Sequence, residues 1–283
     1  MTNFPGLEDE NIDRSRREQR LRRFKQVPIR ILVPNLITLL ALCSGVTAIR
    51  LGMEGRYELA VGAVILAIVL DAIDGRLARF LKGTSRFGAE LDSLADFVNF
   101  GVAPAILIYL WSLNSLKSLG WLVALCLAIC CALRLARFNV AIDDPDKPAW
   151  MMNFFTGAPA PAGAGLAMAP MYLGFLGLVP DGHEVAWLVL PYIAAVALLM
   201  VSRVPTFSAK TLGSRISRDL VLPLLGVAAL AIVSLIAFTW EMLTAMSLLY
   251  IALLPVGIRS YRRHKAEYEK RQTEAPDEQV PAS

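Results

Sequence analysis

Long apolar runs constrain this chain more than any other feature. Stretches of about 20 predominantly apolar residues recur along its 283 residues, and that is the length a helix needs to cross the hydrocarbon core of a bilayer. The chain is 56% hydrophobic and 18% charged, with a mean hydropathy of +0.53, whereas soluble domains are about 45–50% apolar and about 25% charged. The runs therefore predict an all-α fold, a polytopic membrane helix bundle.

The runs predict about eight transmembrane helices, and the basic residues orient them. With the N-terminus inside, Lys and Arg fall on the inner segments, and the exceptions are Arg50, Arg56 and Lys117. The positive-inside rule then predicts that both termini are cytoplasmic. The predicted spans are residues 31–51, 57–81, 90–112, 118–140, 157–178, 184–203, 217–239 and 242–260.

Three regions follow from this pattern. Residues 1–30 form a basic cytosolic N-terminal segment, residues 31–261 the transmembrane domain, and residues 262–283 a polar cytosolic tail. The tail lacks the apolar surface needed to fold, so we predict a helical extension that frays into disorder. The net charge of +4 follows the membrane topology and does not indicate a nucleic-acid partner. The four cysteines lie in apolar runs and are predicted to be small apolar fillers.

Four aspartates lie where the second predicted span ends and the third begins, in the spacing D-x2-D-G-x2-A-R-x8-G-x3-D-x3-D. Asp71 and Asp74 share one helix face, and Asp92 and Asp96 share a face of the next helix. Carboxylates at the end of an apolar segment are costly and usually functional. Because four clustered negative charges repel one another, the pattern predicts one divalent cation or a pair. Oxygen-only ligation favours Mg²⁺ or Mn²⁺.

The neighbours of these aspartates suit a phosphate ligand. Gly75 and Ala78 lie on the face of the first two aspartates and leave room for a ligand against the helix backbone. Arg79 supplies a cation suited to phosphate, and the turn that follows adds donors such as Ser85. Cations, a phosphate site and a nearby carboxylate base are the parts of a phosphoryl-type transfer. The alternative is that the aspartates only form salt bridges with the arginines of the same segment.

The same segment resembles the signature of the CDP-alcohol phosphatidyltransferase family, and all eight fixed positions of that signature are present. Members of this family are integral membrane enzymes that displace CMP from a CDP-linked lipid with an alcohol. The resemblance implies CDP-diacylglycerol as donor, a two-metal centre held by the four aspartates, Asp96 as general base, and a homodimer. The positions that it implies for contacts with the CDP moiety are Gly75, Ala78, Arg79 and Ser85.

Other stretches bear on the acceptor alcohol. The extended string FGAELDSLADFVNFGVAPA, PNLITLLALCSG in the first span and FTGAPAPAGAG at the fifth resemble the branch of the family whose acceptor is L-serine. This likeness extends over residues 27–218. It implies transfer to the serine hydroxyl at the cytoplasmic face of a membrane, which we expect to be a bacterial inner membrane.

Two pairs of polar residues outside the signature have two interpretations each. Asn35 and Thr38, one turn apart in the first span, either contact the cytidine or a phosphate, or hydrogen-bond between helices. Arg134 and Arg137 end the fourth span on its cytoplasmic side. One of them could pair with the carboxylate of serine, and the alternative is ordinary positive-inside anchoring.

Two other functions compete with serine transfer. The same chemistry could use glycerol 3-phosphate or inositol as the acceptor. A polytopic protein with carboxylates in its spans could also be an ion-coupled transporter. Transporters place such groups near the bilayer midplane on broken helices, whereas these aspartates lie at the ends of two spans with a basic turn between them.

Overall fold

The computed structural model describes residues 29–142, 154–202, 205–207 and 218–274. The predicted basic N-terminal segment lies outside the described residues except for its last two positions. Residues 275–283 of the predicted tail also lie outside the described residues. The described chain is helical apart from one short β-ribbon.

Most of the helices begin and end close to the limits of the predicted spans, and the last one extends beyond its span. The first half of the chain forms α1 (Ile29–Met53), α2 (Tyr57–Phe80), α3 (Arg86–Asp96), α4 (Ala103–Trp111) and α5 (Lys117–Ile142). The second half forms α6 (Ala160–Ala167), α7 (Ala169–Phe175), α8 (Ala186–Val201), α9 (Arg218–Ala237) and α10 (Thr239–Glu274). The last helix therefore continues well into the segment predicted as a polar tail.

Four helical stretches of the described chain are long and apolar enough to cross a membrane, namely Ile29–Met53, Arg86–Trp111, Leu113–Ala141 and Thr239–Arg259. The chain is thus an integral membrane protein, as predicted. Two of the other predicted spans do not have the length and apolar composition needed to cross a membrane. Helix α2 carries several charges near its C-terminal end, and α8 has only 16 residues. The count of eight and the orientation of the termini stay predictions.

The fifth predicted span, residues 157–178, is not one continuous helix. It is divided into α6 and α7 at Met168. Pro170, in the first turn of α7, has no backbone N–H with which to continue the hydrogen-bond ladder of α6. A proline therefore divides what the apolar pattern presents as a single span.

The third span is continuous but not uniformly α-helical. A π-helical turn, Phe97–Val102, joins α3 to α4, and the Ala103 N–H donates to the carbonyl oxygen of Val98. Pro104 follows directly and lacks the N–H of a regular α-helix. Such π turns are rare and often occur at functional sites.

A two-stranded β-ribbon departs from the all-α prediction. Strand β1 (Phe154–Thr156) pairs antiparallel with β2 (Pro205–Phe207), so that Phe154 lies opposite Phe207. Three-residue strands are too short to show the alternating pattern that identifies a strand in a sequence. The helix bundle itself is confirmed.

Small residues bring the helices of the bundle together. On α1, Gly45 and Gly52 face the third span so closely that a Cβ would overlap side-chain atoms of Asn99 and Leu107, respectively. Glycine and alanine at such contacts let membrane helices approach one another. Large apolar side chains remain exposed on the outer surface, including Leu122 (62%), as expected for a surface that faces lipid.

Candidate active site

The aspartate segment is built from the end of α2, a short loop and the start of α3. Ser85 caps α3, since its Oγ accepts a hydrogen bond of 3.0 Å from the Gly88 N–H, which is a preferred role of serine at a helix start. In the loop, Lys82 has a positive φ of 49°, and Gly83 is so close to the Arg30 carbonyl oxygen that a Cβ would overlap it. The loop is therefore packed against the start of α1.

Three of the four aspartates form a compact cluster. Asp71, Asp74 and Asp92 each offer a carboxylate oxygen, and these oxygens lie within 4.8 Å of one another. Asp74 is only 3% exposed, and its Oδ2 lies 2.6 Å from the Thr38 hydroxyl on α1. Three helices thus hold the cluster.

Asp96 lies beside this cluster rather than within it. Its side chain approaches that of Asp71 closely enough for a hydrogen bond, yet it is outside the group of three whose oxygens converge. Two carboxylates at that distance either share a proton or require a cation between them. The position of Asp96 distinguishes it from the other three aspartates, which the sequence pattern does not do.

The cluster fits a divalent cation. Asp74 Oδ1 and Asp96 Oδ1 are buried and have no hydrogen-bond partner. In the described part of the chain, ion pairs join Arg50 and Arg56 to Glu54, and no Lys or Arg lies within ion-pair distance of the four aspartates. The alternative that these aspartates only form salt bridges is therefore not supported. Oxygen-only donors are typical of Mg²⁺, Mn²⁺ or Ca²⁺ sites.

A pocket of about 190 Å³ opens beside the cluster. A Cβ on Gly75 would meet nothing within 4 Å, so the missing side chain at this position leaves open space rather than a helix contact. Ser85 lines the pocket, and its hydroxyl proton stays available although its oxygen caps α3. The predicted CDP-contact positions that line the pocket are Asn35, Thr38, Gly75, Ala78, Arg79 and Ser85.

Asn35 and Thr38 differ in what they contact. The Thr38 hydroxyl is 2.6 Å from Asp74 Oδ2 and 3.2 Å from the Pro34 carbonyl oxygen, and its one proton serves the shorter contact. Asn35 Oδ1 is 2.8 Å from the position a Cβ would take on Gly88. Thr38 is therefore a support for a cluster carboxylate, and Asn35 lies on the pocket wall.

The two arginines at the end of α5 also differ. Arg137 donates to the Val201 carbonyl oxygen (2.8 Å) and to the Ser202 carbonyl oxygen (3.3 Å) at the end of α8. Arg134 is partly buried, interacts electrostatically with Asp96, and places its guanidinium carbon 5.8 Å from the Phe138 ring centroid. Arg137 thus ties two helices together, whereas the charge of Arg134 interacts with that of Asp96.

One buried polar residue near the site was not predicted from the sequence. Asn99, three residues after Asp96, is 1% exposed in the interior of the bundle. A lone amide within an apolar run was the available signal, together with its spacing from Asp96. Asn139, at the end of α5, donates to Ser93 Oγ at 2.9 Å and links α5 to α3.

The apolar helices carry a cluster of aspartates and a pocket at their ends. These features define the chain as a membrane protein with a candidate active site lined by carboxylate oxygens. The chain belongs to the CDP-alcohol phosphatidyltransferase family: the model of that family matches residues 31–202, and a second model, CDP-alcohol phosphatidyltransferase 2, matches residues 219–255. The first match includes every signature position, and the enzyme family does not support the transporter alternative.

Individual relatives agree with this assignment. The chain is 36% identical over 235 residues to a CDP-diacylglycerol–serine O-phosphatidyltransferase of Mycobacterium tuberculosis, covering 82% of this chain and 79% of the relative. An enzyme of the same name from Helicobacter pylori is 35% identical over 62% of this chain and 73% of its own length. An archaetidylserine synthase of Methanothermobacter thermautotrophicus is 35% identical over 53% of this chain and 61% of its own length.

Proposed function

We propose that this chain transfers the phosphatidyl group of CDP-diacylglycerol to the hydroxyl of L-serine and releases CMP. The observation that carries the proposal is the convergence of Asp71, Asp74 and Asp92 oxygens within 4.8 Å beside the pocket that contains Gly75. The names of the relatives support serine over glycerol 3-phosphate or inositol as the acceptor.

The diphosphate of the donor lies against the α2 backbone. Gly75 and Ala78 leave that face free of bulk, and Arg79 and the Ser85 hydroxyl border the same pocket. Asp71, Asp74, Asp92 and Asp96 would hold Mg²⁺ or Mn²⁺, as one ion or a pair. When bound, such cations neutralise the diphosphate and make the phosphorus more electrophilic.

Asp96 acts as the general base. It accepts the proton of the serine hydroxyl while the serine oxygen forms a bond to the phosphorus that bears the diacylglycerol. The bond between this phosphorus and the bridging oxygen breaks, and CMP leaves with the electron pair. The position of Asp96 beside the cluster of three supports this separate role. Arg134, whose charge interacts with that of Asp96, binds the serine carboxylate.

The proposal includes the setting of the enzyme. We place eight spans in a bacterial inner membrane with both termini and the active site on the cytoplasmic side, and we expect a homodimer. The packing of the aspartate loop against the start of α1 supports a common side for that loop and the N-terminal segment. Accessibility of single cysteines introduced at Lys82 and at Glu184 to a membrane-impermeant thiol reagent, in a background without native cysteines, tests the orientation. Labelling of Lys82→Cys from outside would contradict it.

The function is tested with the purified full chain in lipid vesicles or detergent. CDP-diacylglycerol is supplied with serine, glycerol 3-phosphate or inositol in the presence of Mg²⁺ or Mn²⁺, and CMP and the lipid product are measured. We expect CMP and a serine lipid with serine alone. CMP release with another alcohol and none with serine would overturn the acceptor while preserving the reaction class.

A further inference from the structure

Asn99 is a buried polar side chain that the proposed mechanism does not use. It is 1% exposed, and neither its Oδ1 nor its Nδ2 has a hydrogen-bond partner. A buried amide without partners is destabilising, and buried polar groups in proteins are normally satisfied by protein or by ordered water. The cost is greater in a membrane bundle, where bulk water is far away. This amide therefore requires a partner.

The surrounding backbone is shaped to admit Asn99. It lies in the π-helical turn that directly follows Asp96. On the facing helix α1, a Cβ on Gly45 would overlap Asn99 Oδ1 and lie 3.3 Å from its Cα. On the other side of the turn, a Cβ on Gly101 would lie 3.0 Å from Cys131 Cβ. Two glycines thus let this turn fit between α1 and α5, and the amide has little freedom to swing away.

A complementary group lies three residues earlier on the same span. Asp96 Oδ1 is a buried acceptor without a partner, and Asn99 Nδ2 is a buried donor without a partner. The two residues are three apart across the junction of α3 with the π-helical turn, so their backbones are close in space. One water molecule that accepts from the amide and donates to the carboxylate would satisfy both groups, as buried waters commonly do.

We propose that Asn99 is a positioning residue for Asp96, which it orients through one buried water that bridges Asn99 Nδ2 and Asp96 Oδ1. The bridge holds the Asp96 carboxylate facing Asp71 and the acceptor hydroxyl. This role rests on the proposed function, since it acts through the base of that reaction. It adds a donor that neither the signature nor the cation cluster includes.

The test compares Asn99→Ser with Asn99→Ala in CMP release with CDP-diacylglycerol and serine. Both substitutions remove similar volume, but the Ser hydroxyl can still donate to a water. We expect Asn99→Ala to lower kcat about tenfold or more, because the loss of a residue that orients a catalytic or metal-binding group commonly has an effect of this size. The KM values for serine and lipid should be unchanged. Asn99→Ser should keep kcat within a few-fold of the parent.

A second pair of variants keeps Asn99 itself in place. Gly45→Ala forces the Asn99 amide to move, whereas Gly62→Ala on α2 is a matched control because its Cβ would meet nothing within 4 Å. We expect Gly45→Ala to lower kcat in the parent and to cause no further loss of kcat in the Asn99→Ala background. The two effects should not add, because both substitutions act through the same contact. If Asn99→Ala does not fold, as judged by its melting temperature, Gly45→Ala carries the test.

Equal kcat values for Asn99→Ser and Asn99→Ala would overturn the proposal, because a packing role does not distinguish them. A raised serine KM at unchanged kcat would overturn it too, since Asn99 would then contact the acceptor directly. Activity of the parent with a different alcohol and none with serine would refute serine as acceptor, and the Ser and Ala variants measured with that alcohol would still decide the role of Asn99.

Discussion

Two sets of polar groups at opposite ends of α2 differ in their hydrogen bonding. At the end where α2 begins, the Tyr57 hydroxyl donates to the Leu110 carbonyl oxygen at 3.1 Å, and the buried Ser112 hydroxyl donates to the Gly182 carbonyl oxygen at 2.6 Å. At the end where α2 finishes, Asp74 and Asp96 each leave a buried oxygen without a partner.

This difference distinguishes polar groups with a structural role from polar groups with a role in binding or catalysis. Paired polar groups fix how helix ends meet, and they need nothing from outside the chain. Unpaired buried oxygens cost free energy and persist where a ligand or cation completes them. Four predictions test whether this distinction holds, beginning with the largest expected effect.

Asp96→Asn should lower CMP release by about 10²–10⁴-fold, the range for loss of a general base, while binding of CDP-diacylglycerol is retained. Single-turnover CMP release and equilibrium lipid binding measure the two separately. Asp181→Asn, an exposed aspartate at the opposite end, is the matched control and should turn over normally. An Asp96→Asn enzyme with normal turnover would refute the base assignment.

Arg134→Gln should raise the serine KM about tenfold or more, because a hydrogen bond to a charged group contributes about 1.5–3 kcal/mol, and should leave the lipid KM unchanged. Arg137→Gln is its control on the same helix. It removes the hydrogen bonds to Val201 and Ser202, so it should lower the melting temperature and not the affinity for serine. An unchanged serine KM in both variants would remove the acceptor role.

The same substitution at two glycines should have opposite effects. Gly120→Ala places a Cβ against the Leu113 carbonyl oxygen, and such overpacking costs about 1–3 kcal/mol of stability. Gly75→Ala places a Cβ in open space beside the aspartates, so its melting temperature should not fall while its lipid KM rises. Thermal unfolding and lipid-dependent kinetics measure both; an unchanged lipid KM in Gly75→Ala would show that no ligand occupies that space.

A divalent cation should stabilise the folded protein modestly. At a free concentration ten times its Kd, binding to one site adds about 1.4 kcal/mol, visible as a higher melting temperature with Mg²⁺ or Mn²⁺ than with chelator. Asp74→Asn should lose most of this shift, whereas Ser112→Ala should keep it despite a lower starting stability. A shift of equal size in both variants would place the cation elsewhere.

Features that depend on local pattern were predictable from the sequence. The second predicted span, residues 57–81, corresponds to α2 (Tyr57–Phe80), and residues 118–140 correspond to α5 (Lys117–Ile142). Apolar runs and the charges that bound them decide such limits without reference to the rest of the chain. The shared face of Asp71 and Asp74 follows from helix geometry for the same reason.

Features that depend on a distant partner were not predictable. Arg134 and Arg137 are one turn apart in equivalent sequence surroundings, and they separate only because the end of α8 lies beside Arg137. The pairing of Phe154 with Phe207 joins segments far apart in the sequence. Four equivalent-looking aspartates are resolved into three and one because the packing of α2 and α3 on α1, rather than spacing, sets which oxygens converge.

The unpaired oxygens of Asp74 and Asp96 have an evolutionary consequence. Replacing either carboxylate with a neutral side chain removes a desolvated group and lessens repulsion in the cation-free protein, so variants selected for heat resistance alone should accumulate such replacements. Stability and activity are then in conflict at these positions, as they often are at functional sites. A lineage that kept only the fold would lose these aspartates early and retain Ser112 and Tyr57 for longer.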